Sequence, residues 1–348
     1  MGFNKGEWSE LYSFLYLLEN PNLIIVDENL QIIEQNLFKI LEIIIDSNNY
    51  KIDNTKIIKI SNNNTKEYDL TFISQNNQIL LNKILTHKKS KGSFEIDEIL
   101  PLIDDLLDGK KLKGNSNIKG DLEANVLDNK FNKIVNLNYN IKSSLGSPAT
   151  LLNASNNTNF IYEITNIDDN IVNQSNLINS RTKLLDRCKF LLSNNANINF
   201  IKVQSDVFDY NLKLIDSNLD KILADILFLS YQNNEKDIKK LLNLISSNND
   251  EYNFYKKKIS DFSNAVTFGM RAGEKWNGTN EVNGGIILVT KTGEVYLLDL
   301  VYFEDIVNKY LIDNIKLDSP SSSRYKMFDI YKENNKYYFK LNLQVRFK

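Results

Sequence analysis

The stretch from Lys119 to Ser155 constrains this chain most. Asp121–Leu127 alternates Leu122, Ala124 and Val126 with Asp121, Glu123 and Asn125, the two-residue period of a half-buried strand. Asp128 and Asn129 are turn residues. Ile134–Lys142 is a second strand, rich in β-branched and aromatic side chains. On a short hairpin the start of the first strand lies beside the end of the second, so Asp121 and Lys142 come together. A carboxylate there can hold a divalent cation with hard oxygen ligands, and a lysine can sit where water attacks and phosphate charge grows. An ordinary sheet surface displays the same pair, and short motifs of this kind often match by chance. Ser143–Ser155 is small and polar, with Gly146, Pro148 and Asn153, and has no apolar alternation. It reads as a loop into a short helix, where N–H groups and the side chains of Ser147, Thr150 and Asn153 are placed to contact phosphates.

Several other chemistries are excluded. One cysteine, Cys188, allows no intrachain disulfide and no cysteine-cluster metal site. The one histidine, His87, sits in the basic run Thr86–Lys91, a poor place for a nucleophile's base. No apolar run of ~18 residues appears and no apolar segment follows the charged start, so neither a membrane span nor a signal peptide is expected, and the chain reads as cytoplasmic. A net charge of −2 is not the usual footprint of a nucleic-acid binder. Its distribution matters more. Glu95–Asp108 carries six acids and no base, whereas Ser321–Lys348 carries seven bases against two acids, and a local positive face attracts phosphate even on a near-neutral molecule.

The remaining chain alternates helices and strands, and its 42% hydrophobic content supports a sizeable core. Residues 4–19 read as a helix, with Asn4 and Glu7 at capping-box spacing and Trp8, Leu11, Leu15 and Leu18 on a buried face. Glu10 shares a stripe with Phe14 and Leu17, a costly place for a carboxylate without a partner. Leu23–Val26 reads as a strand, Glu34–Asp46 as a buried helix or strand, and Ile57–Ile60 and Leu70–Ser74 as strands around an Asn-rich turn. Ile96–Leu107 reads as a helix, and Phe160–Thr165 as a third strand of the central sheet. Residues 166–265 are largely helical. Gly284–Val289 and Glu294–Val301 form a hairpin, Tyr302–Ile312 a helix, and Asp329–Lys332 and Tyr337–Phe347 another hairpin. The last strand alternates Leu341, Leu343, Val345 and Phe347 with Asn342, Gln344 and Arg346. The second set is a row of side-chain types that read base edges, although a plain polar sheet face looks the same. Arg324, among three serines, is a further candidate.

Four stretches, NKGEWSELY at Asn4–Tyr12, IKSSLGSPATLLNAS at Ile141–Ser155, MRAGEKWNGTNEVNGG at Met270–Gly285 and the segment Asp318–Phe347, resemble the HpaII-type restriction endonucleases. The resemblance implies a PD-(D/E)xK-type α/β fold, a mixed sheet flanked by helices, with a helical middle and C-terminal hairpins. It implies a type II enzyme that hydrolyses duplex DNA at CCGG with Mg²⁺ and leaves 5′-phosphates. Asp121 then takes the first acid and Lys142 the lysine. Asn140 stands two residues before the lysine, where the general motif has an acid, so a second carboxylate must come from elsewhere. Glu10 is assigned to that place, on its similarity to the N-terminal helix Glu of archaeal Holliday-junction resolvases, with Glu123 and Glu163 as rivals. Metal ligands are therefore Asp121 and Glu10. DNA contacts are Arg324, Asn342, Gln344, Arg346, Ser147, Thr150, Asn153 and Arg271. A palindromic site implies a homodimer or a monomer acting on each strand in turn, and host protection implies a cognate cytosine methyltransferase. Expected regions are a nuclease core over 1–165, a helical segment over 166–265 and a recognition region over 266–348. Asn140 also motivates an alternative, a nuclease-fold chain that binds DNA without cutting. A third reading, an interaction protein built on the Asn-rich loops, predicts no salt-dependent DNA affinity.

Overall fold

The computed structural model describes residues 2–61, 64–88, 92–112 and 119–348. The Asn-rich turn at 62–63 and the end of the basic run, 89–91, lie outside the described residues. Contacts divide the chain into two compact units, Met1–Ala149 with Asn280–Tyr310, and Thr150–Thr279 with Leu311–Lys348. The division interleaves the chain, where the sequence alone suggested consecutive regions ending at 165 and 265.

The first unit opens with α1 (Lys5–Glu19), β1 (Ile25–Val26), β2 (Ile32–Glu34), β3 (Phe38–Ile45), β4 (Asn48–Ile52), β5 (Lys56–Ser61), β6 (Asn64–Asp69), α2 (Leu70–Thr86), α3 (Leu100–Leu106), β7 (Leu122–Asp128) and β8 (Lys133–Ser143). The second unit follows with β9 (Thr150–Leu152), β10 (Asn159–Thr165), α4 (Asp169–Leu177), α5 (Lys183–Ser193), β11 (Asn197–Val203), α6 (Asp206–Ile215), α7 (Leu219–Gln232), α8 (Ile238–Ile245) and α9 (Asn249–Phe268). The chain returns to the first unit for β12 (Gly285–Val289) and β13 (Val295–Asp299). It then runs through α10 (Glu304–Asn314) to β14 (Ile315–Leu317), β15 (Tyr331–Glu333), β16 (Lys336–Asn342) and β17 (Val345–Phe347).

In the first unit a ten-stranded mixed sheet runs in the order β2-β1-β13-β12-β8-β7-β3-β4-β5-β6. β8 is an inner strand, antiparallel to β7 and parallel to β12. Every residue of β12 is buried, as expected of a strand beside a parallel neighbour. The capping box forms as read. Asn4 Oδ1 accepts Glu7 N–H at 3.1 Å and Glu7 Oε2 accepts Asn4 N–H at 2.8 Å. Trp8, Leu11, Phe14, Leu15, Leu17 and Leu18 are all buried, so α1 is apolar nearly all round and packs against α2 and β8. Its buried Ser9 and Ser13 hydroxyls donate back to Lys5 O and Ser9 O.

Three sequence expectations change. Leu70–Ser74 is the start of α2, not a strand. Asp69 caps it by accepting Thr71 N–H at 2.7 Å, and a five-residue apolar run cannot tell helix from strand without that cap. Phe160–Thr165 is a strand, but β10 joins β11, β16 and β15 in a four-stranded sheet of the second unit. The strands that flank the central hairpin are instead β3, beside β7, and β12, beside β8 and far along the chain. The final strand is broken, because β16 belongs to the four-stranded sheet while β17 lies between β14 and β9 in a three-stranded one. Leu343 and Gln344 make the step between sheets, which local alternation does not reveal. Glu34–Asp46, open between helix and strand, forms β2 and β3.

Two glycines let β12 pack between its neighbours, Gly284 against Tyr139 of β8 and Gly285 against Leu298 of β13. A Cβ on Gly284 would meet the Tyr139 ring at 2.5 Å, and one on Gly285, at φ +122°, would run into the Leu298 carbonyl oxygen. Gly285→Ala is expected to destabilise the protein by more than about 2 kcal/mol, through backbone strain and lost pairing next to β8. Urea unfolding of the variant beside the parent measures this.

Candidate active site

Asp121 enters just ahead of β7, and its N–H donates to Tyr139 O at 2.8 Å, which continues the ladder with β8. Its side chain then turns along β8. Oδ2 accepts the Ile141 N–H at 2.8 Å and lies 3.3 Å from Lys142 Nζ, which also donates to Ile141 O at 3.1 Å. One carboxylate oxygen is thereby fixed by a backbone amide and a cation, and Oδ1 takes no protein hydrogen bond among the described residues. The hairpin thus brings together the pair read from sequence.

Glu10 joins them from α1. Its pKa is raised to about 7, first by burial and then by the Asp121 carboxylate and Glu7, while Lys142 and Lys111 pull it down. The cost foreseen for a carboxylate on a packed stripe is therefore present, and the two neighbouring charges that act on it most are those of Asp121 and Lys142. Two carboxylates that repel each other, each with oxygen donors not committed to the protein, are a fitting pair for a hard divalent cation. No group of three or more His, Cys, Asp or Glu side chains able to hold a metal occurs among the described residues. A cation held here would keep several waters, as Mg²⁺ commonly does.

Asn140 lies on β8 opposite Ile286 of β12 and is only 2% exposed. A charge there would have to be desolvated, whereas an amide costs less. The rivals for the second acid sit elsewhere. Glu123 Oε1 accepts from Asn136 Nδ2 at 3.0 Å, and Glu163, in the second unit, pairs with Lys336 at 2.9 Å. Sequence reasoning missed Lys111, whose Nζ lies 2.8 Å from Glu7 Oε1 and whose charge acts on Glu10. A contact across that separation leaves no local pattern. His87 stacks on Phe94 with ring centroids 3.7 Å apart, and burial pushes the Cys188 thiol up, so neither offers nucleophilic chemistry.

The DNA candidates scatter. Ser147, Asn153 and Arg324 are exposed, and the Arg324 guanidinium lies 5.5 Å from the Tyr325 ring centre. Thr150 opens β9 opposite Arg346 of β17. Arg271 pairs with Glu274 at 3.6 Å, and its carbonyl accepts from Asn211 Nδ2. The row Asn342, Gln344 and Arg346 does not form one open face. Asn342 is 0% exposed, and its Nδ2 donates to Ser155 O at 2.6 Å and Asn159 Oδ1 at 2.7 Å, so it is a buried tie and not a base reader. Gln344 is buried, in the step between two sheets. Arg346 Nε lies 3.1 Å from Asp318 Oδ2, an ion pair without hydrogen-bond alignment.

Because its folded pKa is raised, Glu10 keeps its proton in the native state at pH values where the unfolded chain has lost it. The native state is therefore favoured below about pH 4.5 and loses that advantage as pH rises toward about 7. In metal-free buffer at pH 8, Glu10→Gln is expected to be more stable than the parent by roughly 2 kcal/mol, discounted for partial exposure, and equal to it near pH 4.5. Denaturant unfolding at both pH values checks this.

The HpaII restriction endonuclease family matches residues 4–347. The type II restriction enzyme HpaII of Haemophilus parainfluenzae is 34% identical over 361 aligned residues, covering 99% of this chain and 98% of that enzyme. No solved structure matches. No helix among the described residues is long and apolar enough to cross a membrane.

Proposed function

Because this chain belongs to the HpaII restriction endonuclease family, and is a type II site-specific deoxyribonuclease, we propose that it cuts duplex DNA at CCGG with Mg²⁺, leaving 5′-phosphate and 3′-hydroxyl ends. The observation that carries the reading is the contact of Asp121 with Lys142, 3.3 Å apart at one end of the β7–β8 hairpin, with Glu10 within reach of their charges. Asp121 and Glu10 would hold the cation. When bound, it polarises a phosphoryl oxygen and lowers the pKa of a bound water.

The protein's own groups do the rest. The Ile141 N–H and Lys142 hold Asp121 Oδ2, so the carboxylate faces the cation with its orientation set beforehand. Lys142 aligns the attacking water and offsets charge growing on the phosphate. Asn140 supplies an oriented amide without adding a third negative charge. The first unit carries catalysis in this reading, and the C-terminal strands of the second carry recognition. Arg324 is the first candidate for a guanine contact, since Arg to guanine O6 and N7 is the commonest specific contact. Ser147, Thr150, Asn153 and Arg271 are further DNA contacts in this reading. A homodimer, or a monomer acting on each strand in turn, serves the palindrome. A cognate cytosine methyltransferase protects the host's sites in the same cytoplasm.

Lys142→Ala is expected to lower the single-turnover cleavage rate by about 10²–10³-fold, the size of losing a transition-state donor, with DNA affinity in metal-free buffer kept. Gel shifts beside quenched-flow cleavage decide it, and unchanged cleavage would remove Lys142 from the site. Plasmid digestion in Mg²⁺, with sequenced ends and a CCGG-methylated control, tests the substrate. Cuts only at unmethylated CCGG are expected, and none with EDTA. Cuts at another short site would keep the nuclease and discard the specificity.

A further inference from the structure

The segment Met270–Gly285 is one of the four stretches that carry the resemblance, yet the proposed chemistry uses only Arg271 from it. Its last residues make a set of bonds around β8. Asn283 Oδ1 accepts the Asn138 N–H at 2.7 Å, and Gly284 N–H donates to Asn138 O at 2.8 Å. From the other side of β8, Asp121 N–H donates to Tyr139 O at 2.8 Å, and a Cβ on Gly120 would meet Asn138 Cβ at 3.4 Å. Asn283 and Gly284 therefore hold Asn138 from one side of β8, while Gly120 and Asp121 lie against Asn138 and Tyr139 from the other. Glu281 closes the bracket, because its Oε2 accepts the Lys119 N–H at 2.6 Å.

We propose that Glu281 is a positioning residue for Asp121. Lys119 lies ahead of the first paired residue of β7, Leu122, which is opposite Tyr139. The backbone leading into Asp121 is thus held outside the regular ladder. A carboxylate accepting a backbone N–H makes a stronger bond than a neutral acceptor does. Glu281 uses that bond to set the direction in which the chain delivers Asp121 to Ile141 and Lys142. Asn283 holds β8 in the same bracket at Asn138, two residues before Asn140 and four before Lys142. The hairpin geometry is thereby secured by a segment from the far side of the second unit's sequence. The inference rests on the reading that Asp121 holds the cation.

The test compares the parent with Glu281→Ala, Glu281→Gln, Glu281→Asp and Asp121→Ala. Three quantities are measured: Mn²⁺ affinity by calorimetry without DNA, hydrogen exchange of the Lys119 and Asp121 amides in metal-free protein, and kcat and KM for cleavage. Loss of an orienting group around a metal ligand typically costs 10–100-fold in affinity or activity, so Glu281→Ala is expected to bind Mn²⁺ about 10-fold more weakly and to lose kcat by a similar factor, with KM for DNA unchanged. Its Lys119 and Asp121 amides exchange faster. Glu281→Gln keeps an acceptor at the same reach and is expected to stay within about threefold of the parent, a small part of that loss. Glu281→Asp keeps the charge but withdraws the oxygen, and is expected to follow Glu281→Ala. Parent-like Mn²⁺ affinity and amide protection in Glu281→Asp overturn the proposal, as does a Glu281→Gln variant impaired while Glu281→Asp is not, since charge and not the bond would then matter. These two variants decide the matter even if Glu281→Ala does not fold. Cleavage and Mn²⁺ affinity surviving in Asp121→Ala would overturn the reading of Asp121 itself, whatever the Glu281 variants do.

Discussion

Everything proposed for this protein depends on one hydrogen bond, from the Ile141 N–H to Asp121 Oδ2. It joins the acid before β7 to the strand that carries the lysine. Without it, Asp121 would be a surface side chain sampling several rotamers. With it, one oxygen is fixed and Lys142 is drawn to the same point. The bond is only as firm as β8, and β8 is firm because it is paired on both sides, with β7 and with β12. The parallel pairing with β12 needs a crossover, and the whole run of β9 to α9 lies between β8 and β12 in sequence.

Burial does the opposite at Glu10. The helix that carries it is apolar nearly all round, so the carboxylate is pushed toward its neutral form while Asp121 repels its charge. Such a group lowers stability when ionised and alone, and a divalent cation held by Asp121 and Glu10 would offset their repulsion. Local instability of this kind is expected where binding geometry is set in advance. The rest of the sheet handles its acids differently. Asn136 bridges Glu123 to Asn125, and Glu42 accepts from Asn125 and Asn49, so the polar face of β3, β4, β7 and β8 is a ladder of amides and carboxylates already satisfied by one another. Glu123, two residues after Asp121, belongs to that ladder through its bond from Asn136.

In the second unit the same amide chemistry serves folding. Asn342 ties Ser155, Thr158 and Asn159 together inside the sheet junction. Arg187 is buried and donates to Asn176 O, Ile178 O and Phe328 O, and so anchors the turn that follows Arg324. Residue types that read bases are therefore poor guides where the chain is rich in Asn, because most of its amides are spent internally.

The meeting of Asp121 and Lys142 was legible in the sequence, since a hairpin is local and its ends must meet whatever else the chain does. The capped helix of residues 4–19, the two-strand reading of 121–142 and the unease of Glu10 followed from spacing and burial in the same way. The partner of β8, the sheet to which β10 belongs, the break between β16 and β17 and the fate of Asn342 were not legible. Each depends on segments that meet only after the chain has crossed between units. Periodicity records which face of a strand is apolar but not which strand lies beside it. The sequence by itself thus determined the chemistry available at Asp121 and Lys142, because nearest-neighbour geometry is encoded locally. Only the tertiary structure decided that Glu10 feels the charges of Asp121, Lys142 and Lys111 and that Glu281 accepts the Lys119 N–H, because these encounters are set by packing across more than a hundred residues, which leaves no pattern in the chain.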